Sequence, residues 1–400
     1  MKKEVPPGFL SDYAQGLRRI SPAKDGYHYF FGYYDNPAYS ADDSLHLCNR
    51  VPFMDRLPRD GDVNEMGVFD LNSGAFHPIA KTLAWNFQQG SMLQWFPGQK
   101  DTVVYNVWEN GRYGCVVHNW RTGEQRRYGC PVANVSPDGH WGLSVNFNRI
   151  YDFRPGYGYC NRRDPYYDQP APEQDGVTLL DFQTGAMRPL LNYRQLAALY
   201  NVTPELAGAK IVINHITFNR TSDRFLFLVR YFPAPGQMWK TGLGTCDLEG
   251  NVYLLRPYTY ASHYYWKDGE TLLIYADGGN GPGLYELKDR TQEYREYSTE
   301  IFHEDIHCTY SPDQNFILGD GYADEEEYRT LYLYHIPSGR CMKLARVYAP
   351  ALCDFDIRSD LHCRWNHAGT HISFDSIHEG FRGLYELDVR GAKAALAKES

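Results

Sequence analysis

The sequence repeats one short pattern seven times: an apolar stretch, a polar residue, a hydrophobe and a tight turn. The copies are VFDLNSG (68–74), VHNWRTG (117–123), LLDFQTG (179–185), TCDLEGN (245–251), LYELKDR (284–290), LYHIPSG (333–339) and LYELDVRG (384–391). A second pattern interleaves with it, an aromatic or apolar residue running into a turn. Its copies are YSADD (39–43), WFPG (95–98), VSPDG (135–139), FNRTSD (218–223), WKDG (266–269), YSPD (310–313) and WNHAG (365–369). Successive copies lie from about 40 to about 80 residues apart, and four antiparallel strands recurring at such a period are the signature of a β-propeller. The first pattern reads as the third strand of each unit and its hairpin turn, the second as the end of the innermost strand. Seven of each predict an all-β fold: a seven-bladed β-propeller of four-stranded antiparallel blades, a single domain over 1–400. The last blade lacks a fourth strand, so a strand near 16–21 (GLRRIS) is expected to close it.

Three segments break the rhythm. Residues 152–175 are rich in Pro, Gly, Tyr and charge and read as a long ordered loop. Residues 192–208 carry helical spacing at Leu196, Leu199 and Tyr200. Residues 51–65 form a further loop. Long loops on a rigid repeat scaffold usually wall a site.

Aligning the inner strands on the aromatic before the turn brings out a second regularity. Three residues before it stand His215 (HITF), His263 (HYYW), His307 (HCTY) and His362 (HCRW), while the first three units have Asn36, Met92 and Val132. Two of the histidines sit in near-identical settings, DIHCTYSPDQ at 305–314 and DLHCRWNHAG at 360–369. Inner strands line the channel of a propeller, so equivalent positions converge at one depth. Imidazole is a common neutral ligand of divalent transition metals, and three histidines with an open position make a catalytic metal site. Three of the four are expected to reach one metal and the fourth to face substrate. The plainer alternative is a polar ladder of histidines bonded to water and to each other. Cys308 and Cys363 follow their histidines, so strand alternation turns them to the other face, for packing between blades.

The bulk numbers narrow the partners. A net charge of −9 argues against nucleic acid, while a local basic pocket for an acidic sugar stays possible. With 33 Tyr, 20 Phe and 8 Trp, the chain suits pleated sheets and carbohydrate stacking. The N-terminus shows no apolar h-region, there is no run that spans a membrane, and nine cysteines without CxxC pairs fit a reducing compartment; a cytoplasmic protein is expected. Oligomeric state leaves no trace. GGNGPG (278–283) lies between strands and reads as a turn, and no G-x-S-x-G elbow is present.

A seven-bladed propeller with His-x-x-aromatic inner strands in its later blades resembles the oligogalacturonate lyase family, and more broadly the propeller polysaccharide lyases, including the ulvan and rhamnose–glucuronate lyases. The resemblance is sharpest at SHYYW (262–266), DIHCTYSPD (305–313) and DLHCRWNHAGTHISFDSIHEG (360–380). WNFQQGSMLQW (85–95) and RPGYGY (154–159) look like segments of relatives of these lyases. The resemblance implies a lyase acting on a uronate-containing oligosaccharide, with a divalent transition metal, Mn or Zn, held by His263, His307 and His362. In some ulvan lyases the metal is structural instead.

β-Elimination removes the C5 proton of a uronate, which requires neutralising the adjacent carboxylate, a base for the proton and an acid for the leaving O4. Arg149 is expected to pair with the carboxylate, with Arg154 and Arg230 as further candidates, and His215 or Tyr157 to take the proton. Trp85 is a candidate stacking platform, with Asn86, Gln88, Gln89 and Tyr159 as hydroxyl-binding groups. Several of these lyases place catalytic histidines in early blades; the amides at 86, 88 and 89 cannot act as a base. A propeller glycoside hydrolase or epimerase on the same face, or a non-catalytic carbohydrate-binding propeller, are the alternative readings.

Overall fold

In the computed structural model, which describes residues 8–11, 16–200, 208–233, 237–278, 281–350 and 355–398, the repeats fold into seven antiparallel sheets. Blade 1 runs His28–Phe30, Leu45–Val51, Asn64–Asp70 and Phe76–Thr82. Blade 4 runs Val212–Phe218, Arg224–Tyr231, Lys240–Asp247 and Val252–Thr259. The fold class expected from the repeats is the one observed: each copy of the first pattern ends a third strand, and each copy of the second lies at the turn after an inner strand. The fourth strand of blade 7 is Arg18–Arg19, paired with Glu386 and Tyr385. Glu386 also accepts from Tyr39 of blade 1, at 2.9 Å. A further strand, Phe9–Leu10, extends blade 6 as a fifth strand, which no repeat announced.

The recurring turn has a simple cause. In blade 1 the Asp70 carboxylate accepts from the backbone N–H groups of Asn72 and Ser73, each at 2.9 Å. Gly74 then reverses the chain at a φ of 74°, a conformation that glycine adopts without penalty. Asn119 and Asp181 build the same turn in blades 2 and 3.

Middle strands are covered on both faces by neighbouring blades, so Arg224–Tyr231 is buried along its whole length, while the outer strand Gln125–Tyr128 is mostly exposed. The apolar clusters accordingly sit between blades, as with Leu228, Leu243, Trp266 and Ile274 between blades 4 and 5. Cys308 and Cys363 pack in two such clusters.

Strand direction decides where the loops go. Every first-to-second-strand turn leaves one face of the ring. Every second-to-third-strand connection, and every link to the next blade, leaves the opposite face. The segments at 52–63, 145–175, 193–200, 208–211, 349–350 and 355–363 therefore crowd one mouth of the channel. The 152–175 loop begins inside an unforeseen helix, Phe147–Phe153, and continues through the short turn Pro155–Tyr157. The helix read at 192–208 is Tyr193–Leu199, capped by Asn192 and Gln195; its Leu196 is buried and its Leu199 exposed, and 201–207 fall outside the described residues. A C-terminal helix, Arg390–Ala397, buries Ala392 and Leu396. No helix among the described residues is long and apolar enough to cross a membrane.

Candidate active site

The loop-bearing mouth is roofed by three segments that touch. Gly156 lies so close to the backbone of Asp356 that a Cβ would come within 2.4 Å of its carbonyl oxygen, so only glycine fits. Gln88 donates its side-chain amide to the carbonyls of Asp356 and Arg358, at 3.3 and 3.0 Å, and its backbone N–H to Gly156. Arg154 reaches Asp356 at 3.3 Å, and Arg358 donates to the Tyr157 hydroxyl at 3.2 Å. Blades 2, 3 and 7 thus meet across the channel.

Beneath the roof the four histidines are 1–4% exposed. His263 and His307 have ring centroids 4.0 Å apart, and His307 and His362 4.5 Å apart. His215 stands apart from these three, against Tyr33: the rings stack at 4.7 Å and the Tyr33 hydroxyl lies 3.2 Å from His215 Nε2. Tyr33 and Tyr34 come from blade 1, whose inner strand ends at Phe30, so that the chain dips into the channel. Tyr34 packs against His307 at 5.1 Å, and its hydroxyl bonds the Tyr264 backbone.

Carboxylates organise the three histidines. His263 Nδ1 is 2.9 Å from Asp305, and His307 Nδ1 is 3.0 Å from Asp320. Asp320 also accepts from the backbone N–H groups of His362 and Cys363. His362 is held at a φ of 45°, a strained conformation for a non-glycine residue that such tethers maintain. The Nε2 atoms of His307 and His362 are buried without partners. His307, fixed at Nδ1 by a carboxylate and without a hydrogen bond at Nε2, is arranged as a metal ligand is.

Among the described residues, the group whose ligand atoms all lie within 4.8 Å of one another is His307, Asp360 and His362. Asp360, and not the expected His263, is the third member of this group. The acid two residues before each histidine explains this. Asp305 points back to His263 of the preceding blade, and Asp360 back toward His307. Asp360 is also gripped by Arg329 at 2.7 Å and by Arg358 at 3.0 Å. Burial opposes its ionisation, but Arg358 and Arg329 overcome that and hold the carboxyl well below the usual range. Arg358 Nη2 lies 2.9 Å from Oδ2 as an ion pair but outside hydrogen-bond geometry, so this oxygen keeps an acceptor site.

Arg230 closes the site. It ends the second strand of blade 4, is 2% exposed, and has no acid paired with it among the described residues; its Nε is buried without a partner. Trp239 lies 5.5 Å from the guanidinium. Burial lowers its pKa, and the neighbouring Arg154 lowers it further. Burial, then the Arg230 charge, holds His215 well below the usual imidazole range.

The remaining expected residues serve the scaffold. Arg149 lies in the helix, fully buried; it donates to the carbonyls of Ile211, Gln169 and Pro170 and pairs with Asp164 at 3.3 Å, so its guanidinium is consumed in pinning the long loop. Trp85 offers no open face: it is 1% exposed, packs against Phe53 and Phe87, and donates to the Asp62 carbonyl. Asn86 caps the turn through Gln88 and Gln89, whose backbone N–H groups it accepts. Gln88 knits the roof, as above. Gln89 is buried against a small void beside Tyr33 and His215. Tyr159 stacks on Phe147 at 4.3 Å and accepts from Asn106 within the core. Sequence reasoning missed Tyr33, Asp320, Asp360, Arg329 and Arg358. The repeated acid-x-His triplet was the one visible signal.

No family model matches the chain, and no curated protein matches it in sequence. Solved structures do. An oligogalacturonate lyase in complex with manganese aligns over 95% of this chain and 96% of its own, with a TM-score of 0.67 and 16% identity. An oligogalacturonate lyase from Vibrio parahaemolyticus aligns over 96% and 97%, with a TM-score of 0.67 and 13% identity. The likeness is one of fold and runs the length of the chain.

Proposed function

We propose that the protein is a lyase that cleaves uronate-containing oligosaccharides by β-elimination at the roofed mouth of the channel. The observation that carries this reading is Arg230, a buried guanidinium with no acid of its own among the described residues. A buried cation is costly unless an anion meets it, and a substrate carboxylate is an anion of the right kind. The full-length fold likeness to two oligogalacturonate lyases supports the choice of chemistry.

In this reading Arg230 binds the carboxylate and neutralises it, which acidifies the adjacent C5–H. His215, kept neutral by burial and by Arg230, takes the C5 proton through its lone pair. The C5–H electrons become the C4–C5 double bond, the C4–O4 bond breaks, and O4 takes a proton. Tyr157, edge-on to His215 at 5.5 Å and accepting from Arg358, is the hydroxyl that gives it in this reading. His307, Asp360 and His362 would hold a divalent ion, Mn or Zn, which when bound supplies further positive charge for the carboxylate.

The test is the ultraviolet absorbance of the new double bond across a panel of uronate oligosaccharides, with Mn or Zn added, beside metal analysis of the protein. About one ion per chain is expected, lost in His307→Ala and weakened roughly 10–100-fold in Asp320→Asn. Sugar released without the chromophore would make the protein a hydrolase; ligand bound and left unchanged would make it a binding propeller.

The pH dependence follows from His215. Its folded pKa lies well below 6.5, so its base form persists as pH falls through 6.5, where an ordinary histidine loses half. The rate is expected to stay flat from pH 8 to about 6. Stability runs the other way. Below the ordinary imidazole pKa the unfolded chain takes up protons that the folded one does not. His46 and His378, pushed down by burial to about 3 and about 4, add to the effect, and Asp35, raised by burial to about 6, opposes it. The melting temperature is therefore expected to fall by roughly 4 °C between pH 7 and pH 5. A rate that halves near pH 6.5 while the fold stays intact would remove His215 as the base.

A further inference from the structure

We propose that a cleft between blades 5 and 6 holds the sugar joined to the cleaved uronate, that this sugar is neutral, and that the Tyr322 hydroxyl binds it. The inference rests on the elimination reading and adds the class of substrate to it. The roof is built from blades 2, 3 and 7, so an oligosaccharide seated on Arg230 has to run out on another side. A cavity of about 480 Å³ opens beside blades 5 and 6, within the range of small-molecule sites, ~300–1,000 Å³. It lies between the link from blade 5 to blade 6, the loop after the second strand of blade 6, and the outer strands of that blade around Tyr332 and Lys343. That link and that loop both leave the roofed face of the ring.

Tyr322 joins this cleft to the reaction centre. It lines the cleft, and its ring lies 6.1 Å from those of His263 and His307. Arg329 and Arg358, which grip Asp360, approach the same ring at 5.4 and 5.5 Å. The side chain is partly exposed. Its hydroxyl has no hydrogen-bond partner among the described residues and, unlike the Nε2 atoms of His307 and His362, is not enclosed. Burial pushes its pKa up, so it keeps its proton and can donate to a sugar oxygen or accept from a sugar hydroxyl.

Charge decides which sugar fits. Glu300, Glu304 and Asp324 line the cleft against Lys343 and Arg346. Arg346 is already shared between Asp324 and Glu326. Glu300 and Glu304 are left facing Lys343, the one wall cation without a paired acid among the described residues. His303, 3.6 Å from Glu304, adds charge only when protonated. The excess of negative charge is felt inside the cleft: burial raises the pKa of the Tyr332 hydroxyl, and the charges of Glu304 and Asp324 raise it further. A second uronate there would meet like charge, whereas a neutral sugar would not.

The test compares glucuronate flanked by glucose, galactose or rhamnose with triglucuronate and trigalacturonate. Absorbance of the new double bond gives kcat and KM, and saturation-transfer NMR with Zn present gives binding separately from turnover. The flanked substrates are expected to show a kcat/KM about fivefold or more above the all-uronate ones. Glu300→Gln combined with Glu304→Gln should narrow that ratio by about threefold, as should added salt. Tyr322→Phe keeps the ring; it should raise KM on the flanked substrates by about three- to tenfold, with kcat within about twofold and the melting temperature unchanged. Saturation should reach the protons of the neutral sugar and weaken in Tyr322→Phe. The proposal is overturned if no saturation reaches that sugar, if the all-uronate substrates bind as well as the flanked ones, or if Tyr322→Phe leaves KM and binding unchanged. No chromophore from any substrate, with Tyr322-dependent saturation of the neutral sugar, would overturn the elimination reading and uphold the cleft.

Discussion

Arg230→Met should abolish uronate turnover and leave the fold at least as stable. The two halves have one cause. In the free protein the Arg230 guanidinium is buried beside Arg154, with no acid among the described residues to meet it. Removing a buried cation that has no counter-ion recovers its desolvation cost, and methionine fills a similar volume with apolar atoms. The melting temperature is therefore expected to hold or to rise by about 1–2 °C. In the transition state the same guanidinium faces a carboxylate whose charge must be neutralised, so kcat/KM is expected to fall by about 10²–10³ or more. Arg230→Lys keeps the charge but loses the two-pronged geometry and should recover only part of the rate. A variant that melts early yet turns over normally per folded molecule would show that Arg230 belongs to the scaffold.

Arg149→Met should do the reverse. Arg149 and its partner Asp164 have fully buried side chains. Three backbone carbonyls also depend on the guanidinium. Truncation strands a buried carboxylate, and breaking one half of such a pair costs about 3–5 kcal/mol. Lys210, whose Nζ lies 3.5 Å from Asp164, partly compensates, so the lower end of that range is expected. The readout is the denaturant midpoint, with activity per folded molecule preserved wherever the roof still forms. Full stability with lost turnover would return Arg149 to the substrate.

The contrast between these two arginines shows where reading the chain stops. Both are basic residues at strand ends or loop starts of neighbouring blades, and nothing local separates them. Arg149 meets Asp164 and the carbonyls of 169, 170 and 211 because the long loop folds back over the helix. Arg230 meets no acid because the roof brings another arginine to its side. The same limit applies to Trp85, whose expected stacking face is covered by the 51–65 loop.

The sequence alone determined the propeller and its blade number. Each Asp- or Asn-led turn and each aromatic–turn pair is a local structure, written in consecutive residues and repeated seven times. It also determined that histidines of the later blades share one depth, because equivalent positions on inner strands point into one channel. What only the tertiary structure decided is which groups meet in that channel. Tyr33 enters from blade 1 and splits His215 from the other three. Asp360 stands beside His307 and His362. Arg154, Tyr157 and Arg358 come from blades 3 and 7 and meet over the top. The roof contacts Arg154–Asp356 and Arg358–Tyr157 join residues 202 and 201 positions apart, and their pairing depends on how loops of different length cross the axis of the ring. Repeat periodicity sets the direction of each strand, but no local pattern encodes which loop reaches across.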